Sequence, residues 1–225
     1  MRVSVVIPTL NEADTIEHTL IQVRQAGECE IIVVDGGSDD GTLELARQHA
    51  DRVLSARRGR AYQMNVGAEE ASGGAILFLH ADTVPPARFS QLIDQALTDP
   101  AVVGGRFNVY VDAPGWPFRM IGTLMNIRSR LTGIATGDQG IFVRRETFAS
   151  IGGYPEWEIM EDLELSRQLK RAGKIACLRD RVRTSARRWQ KHGVTKTILI
   201  MWGLRLCHSF GVRPASLKAF YADTR

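Results

Sequence analysis

Three apolar segments of the chain, residues 3–7, 30–34 and 76–80, each lead directly into residues that could bind a charged ligand. These residues are Pro8, Asn11 and Glu12 after the first segment, Asp35 after the second, and Ala81 and Asp82 after the third. A carboxylate can hold a divalent cation that carries a diphosphate, and it can accept hydrogen bonds from a ribose or a base. The alternative is structural, because aspartates also cap helices and stabilise tight turns.

The segments themselves have the composition of strands that are buried on both faces. Segments with helical periodicity, at residues 12–25, 42–49 and 61–71, alternate with these strands and with a further short strand predicted at residues 52–55. This alternation predicts an α/β fold with a parallel sheet and helices on both faces. In such a fold the carboxyl ends of the strands form one rim where ligands bind. We therefore expect the acidic residues to lie together at that rim.

Two loops near the predicted rim could bind part of a nucleotide. The loop at residues 36–41 combines glycines with small polar residues, and glycines let the backbone approach a ligand closely. The basic loop at residues 56–60 ends in Arg60 and enters a helix that contains Asn65, so it could hold an anion at the helix N-terminus. The structural alternatives are that residues 36–41 form only a tight turn and that the charges of residues 56–60 are only exposed loop charges.

The second half of the chain departs from the simple alternation. It predicts a long strand at 102–111, a helix at 118–131, a short strand at 141–144, a helix at 161–171, and then two short strands. Glu161 and Asp162 open the last helix, where they could serve only as capping acids. Alternatively, Asp162 could be a general base, which would need a water-poor pocket to raise its pKa against the helix dipole. The residues alone leave both hypotheses open.

Residues 167–196 contain eleven lysines and arginines and a single acid, Asp180. This asymmetry favours an anionic partner such as a phosphate group, an anionic membrane surface or nucleic acid, although a solvated basic face is an equal alternative. Within this stretch, Arg187 and Arg188 could neutralise a diphosphate and Trp189 could stack on a sugar or base. Alternatively, Trp189 anchors the following helix to the core.

The composition favours a cytoplasmic protein with a well-formed core. The chain of 225 residues is 44% hydrophobic with a net charge of +4, and its cysteines (Cys29, Cys177 and Cys207) are too widely spaced for a metal site. We expect them to be reduced thiols. The N-terminal apolar segment is too short for a signal peptide, and no stretch approaches the roughly 18 apolar residues of a membrane span.

In their order and spacing, residues 8–12, residues 35–42, the pair Ala81-Asp82 and the pair Glu161-Asp162 resemble the motifs of the family 2 glycosyltransferases. The resemblance covers about residues 1–190. It implies the GT-A fold, with a Rossmann-like, mostly parallel central sheet and helices on both faces, followed by a helical tail at 191–225. Residues 137–140 and the Arg-Trp pair also resemble a small bacterial subgroup associated with radical-SAM and selenium-related genes.

The family resemblance implies an inverting hexosyltransferase that uses a nucleotide sugar and Mg²⁺ or Mn²⁺. It assigns the donor site to Pro8, Asn11, Glu12, Asp35, Arg60, Asn65, Ala81, Asp82, Arg188 and Trp189, and the acceptor side to Gly137, Asp138, Gln139 and Glu161. Asp82 would be the metal ligand and Asp162 the general base. His80 replaces the first acid of the family's Asp-x-Asp motif, and Ser185 replaces the glutamine of the Gln-x-x-Arg-Trp motif found in processive relatives.

The implied partners are a UDP- or GDP-sugar, an acceptor that could be lipid-linked, an anionic membrane surface and a second copy of the chain. Nucleic acid is not expected, because Trp189 is the only aromatic residue in the basic stretch. One alternative is a nucleotidyltransferase-like enzyme, which would carry a glycine-rich basic loop where this chain has residues 8–12. The other is a non-catalytic module for anions or nucleic acid, which leaves the acids on three strand ends unexplained.

The apolar segment at residues 197–210 predicts a closing helix that must be buried somewhere. One hypothesis is that it packs on the body of the protein or on a second subunit. The other is an interfacial helix, with the preceding basic stretch on anionic lipid and Trp202 at headgroup depth. The second hypothesis would place the protein peripherally at the inner face of the membrane.

Overall fold

The structure is a computed structural model that describes residues 1–209, apart from a few side chains in the last two helices. The strands of this part are β1 (Val3–Thr9), β2 (Glu30–Asp35), β3 (Arg52–Ser55), β4 (Ala75–Phe78), β5 (Thr83–Val84), β6 (Val102–Asp112), β7 (Ile141–Arg144) and β8 (Lys174–Ser185). Its helices are α1 (Ala13–Ala26), α2 (Thr42–His49), α3 (Arg60–Glu69), α4 (Phe89–Ala96), α5 (Trp116–Thr132), α6 (Arg145–Ser150), α7 (Glu161–Ala172), α8 (Arg187–His192) and α9 (Val194–Ser209). A short 3₁₀ helix spans Gly137–Gln139.

The strands form one sheet in the order β3-β2-β1-β4-β7-β6-β8-β5. The first four strands are mutually parallel, as the strand-helix alternation predicted. Beyond β4 the sheet is mixed, because β7 is antiparallel to both β4 and β6, β8 is parallel to β6, and β5 is antiparallel to β8. The α/β prediction is therefore confirmed, with a second half that is less parallel than expected.

Both faces of the sheet are apolar because successive residues of each central strand point to opposite sides. On β1, Val3, Val5 and Ile7 face one core cluster, which is closed by α1 and α4. Val6 faces the second cluster, which is closed by α3, α6 and α7. Helices thus cover both faces, which leaves the rim at the carboxyl ends of the strands as the place for a ligand.

Two glycines in β6 mark the junction between the halves of the sheet. A Cβ at Gly105 would lie 2.3 Å from the carbonyl oxygen of Ala176 on β8 and 2.4 Å from Cζ of Phe142 on β7. A Cβ at Gly104 would lie 2.5 Å from the carbonyl oxygen of Phe142. Side chains are therefore excluded here, which lets three strands approach closely.

Two predicted boundaries were wrong. The two short strands expected after α7 are one long strand, β8, whose register with β6 shifts between Arg106 and Asn108. A bulge of this kind interrupts the pattern of alternation without ending the strand. The strand expected to reach His80 ends at Phe78, and a turn closed by a hydrogen bond from the Thr83 N–H to the His80 carbonyl (3.1 Å) follows.

The C-terminal helices pack on the body of the protein. Leu204 of α9 is buried in a cluster with Ile159, Met160 and Leu163, which lie around the start of α7. This placement agrees with the first hypothesis for the closing helix, although Trp202 on its outer side is 66% exposed. In the described part of the chain, no helix is both long and apolar enough to cross a bilayer.

Candidate active site

Asp35 lies at the rim and shapes the glycine loop. Its buried carboxylate accepts hydrogen bonds from Thr9 Oγ1 (3.1 Å), the backbone N–H groups of Gly37 (2.9 Å) and Ser38 (2.8 Å), and Ser38 Oγ (2.5 Å). Both carboxylate oxygens are thus used inside the protein. The predicted contact between Asp35 and a nucleotide base stays a prediction.

Asn11 joins the loop after β1 to the glycine loop. Its backbone N–H donates to Ser38 Oγ (2.9 Å), and its side-chain oxygen accepts from the Asp39 N–H (3.0 Å). Its φ of 53° lies in the left-handed region, which asparagine tolerates better than most residues. Pro8 lies in β1 opposite Val34. These residues therefore form the wall of the rim next to Asp35.

One arginine bridges the two remaining acids of the rim. Arg187 Nη2 lies 2.6 Å from Glu12 Oε2 and 3.4 Å from Asp82 Oδ2. Burial lowers the pKa of Arg187, but its hydrogen bond to Glu12 and the charges of Glu12 and Asp82 raise it above its ordinary value. A guanidinium therefore occupies the space between two carboxylates at the end of β1 and β4.

The same two carboxylates suit a divalent cation that arrives with a diphosphate. Among the described residues, no group of three or more histidines, cysteines, aspartates and glutamates could hold a metal ion. Mg²⁺ in nucleotide sites typically uses one or two carboxylates, together with phosphate oxygens and water. Asp82 with Glu12 can supply that number, and the bridging Arg187 shows that a cation is accommodated between them.

His80 is held on the acceptor side of the site. Its Nδ1 lies 3.1 Å from Asp138 Oδ1, and its buried Nε2 has no hydrogen-bond partner among the described residues. A Cβ on Gly137 would lie only 2.4 Å from that Nε2, so this close approach requires glycine. The ring therefore connects the end of β4 to the 3₁₀ helix.

Asp162 has the electrostatics of a base in a water-poor site. Its Oδ2 accepts a hydrogen bond from the Gly137 N–H (2.9 Å), and its Oδ1 accepts one from the Leu163 N–H (2.8 Å). Burial is the largest influence and, with the charge of Glu161, raises the pKa of Asp162 to about 6, although the Gly137 N–H and Arg60 oppose this shift. Burial thus outweighs the groups that favour the carboxylate.

Glu161 has a different role from its neighbour. Only 3% of its side chain is exposed, and its Oε1 lies 3.3 Å from Arg60 Nη1. The start of α7 is fixed by Met160, whose φ of 65° turns the chain into the helix. Glu161 is therefore enclosed as a partner of Arg60, and its contact with an acceptor stays a prediction.

A narrow cavity of about 50 Å³ lies in front of Asp162, with room for a few water molecules. Its lining consists of Arg60, His80, Thr136, Gly137, Asp138, Glu158, Ile159, Met160, Glu161, Asp162, Leu163 and Met201. The cavity joins a predicted donor residue, Arg60, to the predicted acceptor residues Gly137 and Asp138. Met201 belongs to α9, so the closing helix supplies one wall.

Other predicted site residues are engaged in internal contacts. Asn65 donates to the Tyr154 carbonyl (2.9 Å) and accepts from the Tyr154 N–H (2.8 Å). Gln139 is fully buried, accepts from the Thr136 N–H (3.2 Å) and donates to Ser129 Oγ (2.9 Å). In this conformation both side chains hold the walls of the site in place, and their contacts with substrates remain predictions.

The remaining residues that were predicted to contact the donor are Ala81, Arg188 and Trp189. Trp189 packs against the cluster of Val111, Ile121 and Ala186, as expected for an anchor of the C-terminal helices. Ala81 is buried, and its carbonyl accepts a hydrogen bond from Thr19 Oγ1 (2.7 Å). The side chain of Arg188 lies outside the described residues.

The family resemblance assigns no role to two arginines near the site. Arg187 is one of the two arginines for which the sequence suggests diphosphate neutralisation, and its contacts with Glu12 and Asp82 place it at the rim. Arg128 lies in α5, where the periodicity gave no sign of its burial. Its Nε and Nη2 are buried without a hydrogen-bond partner among the described residues. Burial lowers the pKa of Arg128, whereas the charges of Asp162 and Asp138 raise it.

The sheet order and the covering helices define a protein of the GT-A class, as solved structures show. S. aureus TarS 1-349, crystallised in complex with UDP-GlcNAc, superimposes with a TM-score of 0.63 at 21% identity, over 82% of this chain and 58% of that one. Glucosyl-3-phosphoglycerate synthase from Mycobacterium tuberculosis, crystallised with Mg²⁺ and UDP, gives a TM-score of 0.60 at 22% identity, over 80% of this chain and 69% of that one.

The chain belongs to glycosyl transferase family 2, whose sequence model matches residues 4–152. The glycosyltransferase AglE of Haloferax volcanii is 27% identical in an alignment of 170 residues that covers 68% of this chain and 56% of that protein. An undecaprenyl-phosphate 4-deoxy-4-formamido-L-arabinose transferase of Pseudomonas fluorescens is 30% identical in an alignment of 158 residues that covers 63% of this chain and 46% of that protein. The chain thus spans about half the length of these curated relatives.

Proposed function

We propose that the protein transfers a sugar from a nucleotide-diphosphate sugar to an acceptor hydroxyl, with inversion at the anomeric carbon. The observation that carries the proposal is Asp162, a carboxyl with a pKa raised to about 6 that lines a narrow cavity beside the acidic rim. A general base works best when its pKa lies near the operating pH. Burial and the charge of Glu161, which raise this pKa, distinguish Asp162 from an exposed helix cap.

The geometry supports a single displacement. Asp162 accepts the proton of the acceptor hydroxyl while that oxygen forms a bond to the anomeric carbon. The bond from this carbon to the diphosphate oxygen breaks on the opposite side, so the configuration inverts. Arg187 is placed at the rim to meet the negative charge that develops on the leaving diphosphate. A Mg²⁺ or Mn²⁺ ion, when bound at Asp82, supplies further charge neutralisation.

The donor is proposed to be a UDP-sugar, with a GDP-sugar as the alternative. UDP is the nucleotide in the TarS and glucosyl-3-phosphoglycerate synthase structures, and the latter also hold Mn²⁺ or Mg²⁺. The proposed pocket runs from Asp35 and Asn11 to Asp82. The resemblance to the subgroup associated with radical-SAM and selenium-related genes is retained as a proposal, and it names no donor sugar.

The acceptor is proposed to be lipid-linked. A relative at 30% identity is named as an undecaprenyl-phosphate transferase, which makes a lipid-borne acceptor the first candidate. Arg128 supports an anionic group on that acceptor, because its buried nitrogens lack a partner among the described residues and Asp162 is close by. A peripheral location at the inner face of the membrane and a homodimer remain part of this proposal.

The decisive experiment is a thermal-shift panel of UDP-, GDP- and dTDP-sugars with Mn²⁺, followed by NMR of the product formed from the donor that stabilises the protein. We expect stabilisation by one nucleotide class, dependence on Mn²⁺, and a product of inverted configuration. Release of pyrophosphate from a nucleoside triphosphate would instead indicate a nucleotidyltransferase. Binding without turnover, with nucleic acid as the preferred ligand, would indicate a non-catalytic module.

A further inference from the structure

Helix α5 carries a row of large apolar side chains on the protein surface. These residues are Trp116, Met120, Leu124, Ile127 and Leu131. Trp116 is 72% exposed and Leu131 is 81% exposed, although both are large enough to favour burial strongly. Surface apolar residues are common singly, but a continuous row on one helix marks a surface that meets something else.

The row is straight and long. Its residues follow one another at intervals of three or four positions, and at about 100° per residue all five fall within a sector of about 80°. With a rise of about 1.5 Å per residue, the row extends for about 22 Å. The opposite side of α5 is covered, since Ile121, Gly122 and Ser129 are buried there. The helix therefore has a core face and a separate outward apolar face.

The charges of α5 indicate which partner fits that face. The helix contains no acidic residue, and its exposed arginines, Arg119 and Arg130, flank the row on one side. An anionic lipid headgroup complements these guanidinium groups, while the apolar row enters the acyl boundary and Trp116 lies at headgroup depth. A second copy of the same face would bring like charges together, which disfavours self-association through α5.

We propose that α5 is the membrane-docking surface of this protein and lies in the plane of an anionic bilayer. The inference rests on the proposed function, because it supplies the surface on which a lipid-borne acceptor is presented. The position of α5 supports it: the helix ends at Thr132 and the chain then runs directly into the Gly137–Gln139 turn. The Gly137 N–H of that turn contacts Asp162 (2.9 Å). Docking of α5 on a bilayer thus places the cavity in front of Asp162 close to the lipid surface.

The test is sedimentation of the full chain with vesicles of phosphatidylglycerol and phosphatidylcholine, and separately with pure phosphatidylcholine. We expect binding only to the anionic vesicles, weakened by salt. The double variant Leu124→Gln/Leu131→Gln should lower the partition coefficient at least about tenfold, since two apolar side chains leave the acyl boundary. The variant Trp116→Ser has a matched control, Trp202→Ser, which removes a similarly exposed indole from α9. Only Trp116→Ser should weaken vesicle binding.

Three results would overturn the inference. They are absence of wild-type binding to the anionic vesicles, unchanged binding of the double variant, and a greater loss with Trp202→Ser than with Trp116→Ser. Conversion of a wild-type dimer to a monomer by the double variant would assign the face to a second copy instead. UDP affinity, measured by calorimetry without vesicles, should not change in any of these variants. If UDP still binds but the vesicles do not, the membrane inference fails while the proposed sugar transfer stands.

Discussion

Replacing Asp162 with asparagine removes the proposed base while preserving the shape of the site. The asparagine oxygen can still accept the hydrogen bond that the Gly137 N–H donates to Asp162 (2.9 Å), whereas the asparagine NH₂ group cannot accept the one from the Leu163 N–H (2.8 Å). We expect transfer to fall by at least about a hundredfold, the usual scale for a lost general base. In the wild type, transfer should rise with pH as Asp162 loses its proton, around its pKa of about 6.

The same substitution should make the stability of the fold less dependent on pH. Because the pKa of Asp162 is raised from 3.8 to about 6, the folded state binds this proton more tightly than the unfolded state does. The resulting stability is present below about pH 4 and is lost as the pH rises through about 6, at a cost of about 3 kcal/mol. Asparagine is neutral throughout, so the variant avoids most of this loss.

Urea unfolding gives the free energy of unfolding of both proteins at about pH 4 and about pH 8. The quantity of interest is how far the gap between variant and wild type changes between these two pH values. The free energy of unfolding of Asp162→Asn relative to the wild type should increase between the two pH values by about 2–3 kcal/mol. Calorimetry with UDP and Mn²⁺ should show little change. Equal pH dependence in the two proteins, or turnover close to the wild-type level, would refute the assignment of Asp162 as a buried base.

Three further predictions concern the rim and the turn beside it. Asp82→Ala should abolish the Mn²⁺-dependent part of UDP binding in calorimetry without lowering Tm, and unchanged affinity would rule out its metal role. Gly137→Ala should destabilise the fold by about 1–3 kcal/mol in urea unfolding, because its Cβ would lie 2.4 Å from His80 Nε2. The control Gly203→Ala, with nothing within 4 Å of its Cβ, should be neutral or stabilising. Arg187→Gln should tighten the binding of Mn²⁺ alone by up to about fivefold, because it frees Glu12 and Asp82, and it should weaken the binding of UDP. Weaker Mn²⁺ binding together with tighter UDP binding would rule out a role for Arg187 between the two acids.

The parallel half of the fold could be predicted because its information is local. Each of the first strands is a run of apolar residues that ends at polar ones, so the position of Asp35 at the end of β2 followed from the sequence alone, whereas Asp82 lies in the turn after β4. The fold then brings Glu12 and Asp82 to the same arginine. A rim predicted from strand ends thus corresponds to a real cluster of charges.

The other half depends on contacts that local patterns do not encode. Nothing in residues 141–144 indicates that this strand inserts antiparallel between β4 and β6. Gly104 and Gly105 leave room for this arrangement, because a side chain at either position would collide with a neighbouring strand. For Asp162, the sequence could not decide between a helix cap and a catalytic base. Burial raises the pKa of the carboxyl and the helix dipole lowers it, and the two effects could be compared only once the cavity was defined.

The contribution of Met201 to the cavity has a consequence for how the protein is made. Chains emerge from the ribosome with their N-terminal parts first, and early parts begin to fold while later ones are still being synthesised. Residues 4–152, which carry the family match, leave the ribosome before β8 and Arg187, so the sheet and the rim are completed only by later residues. The cavity around Asp162 gains its last wall only when Met201 packs against it. Under the proposed function, a nascent chain would accordingly complete the donor rim at Arg187 before Met201 closes the cavity around Asp162.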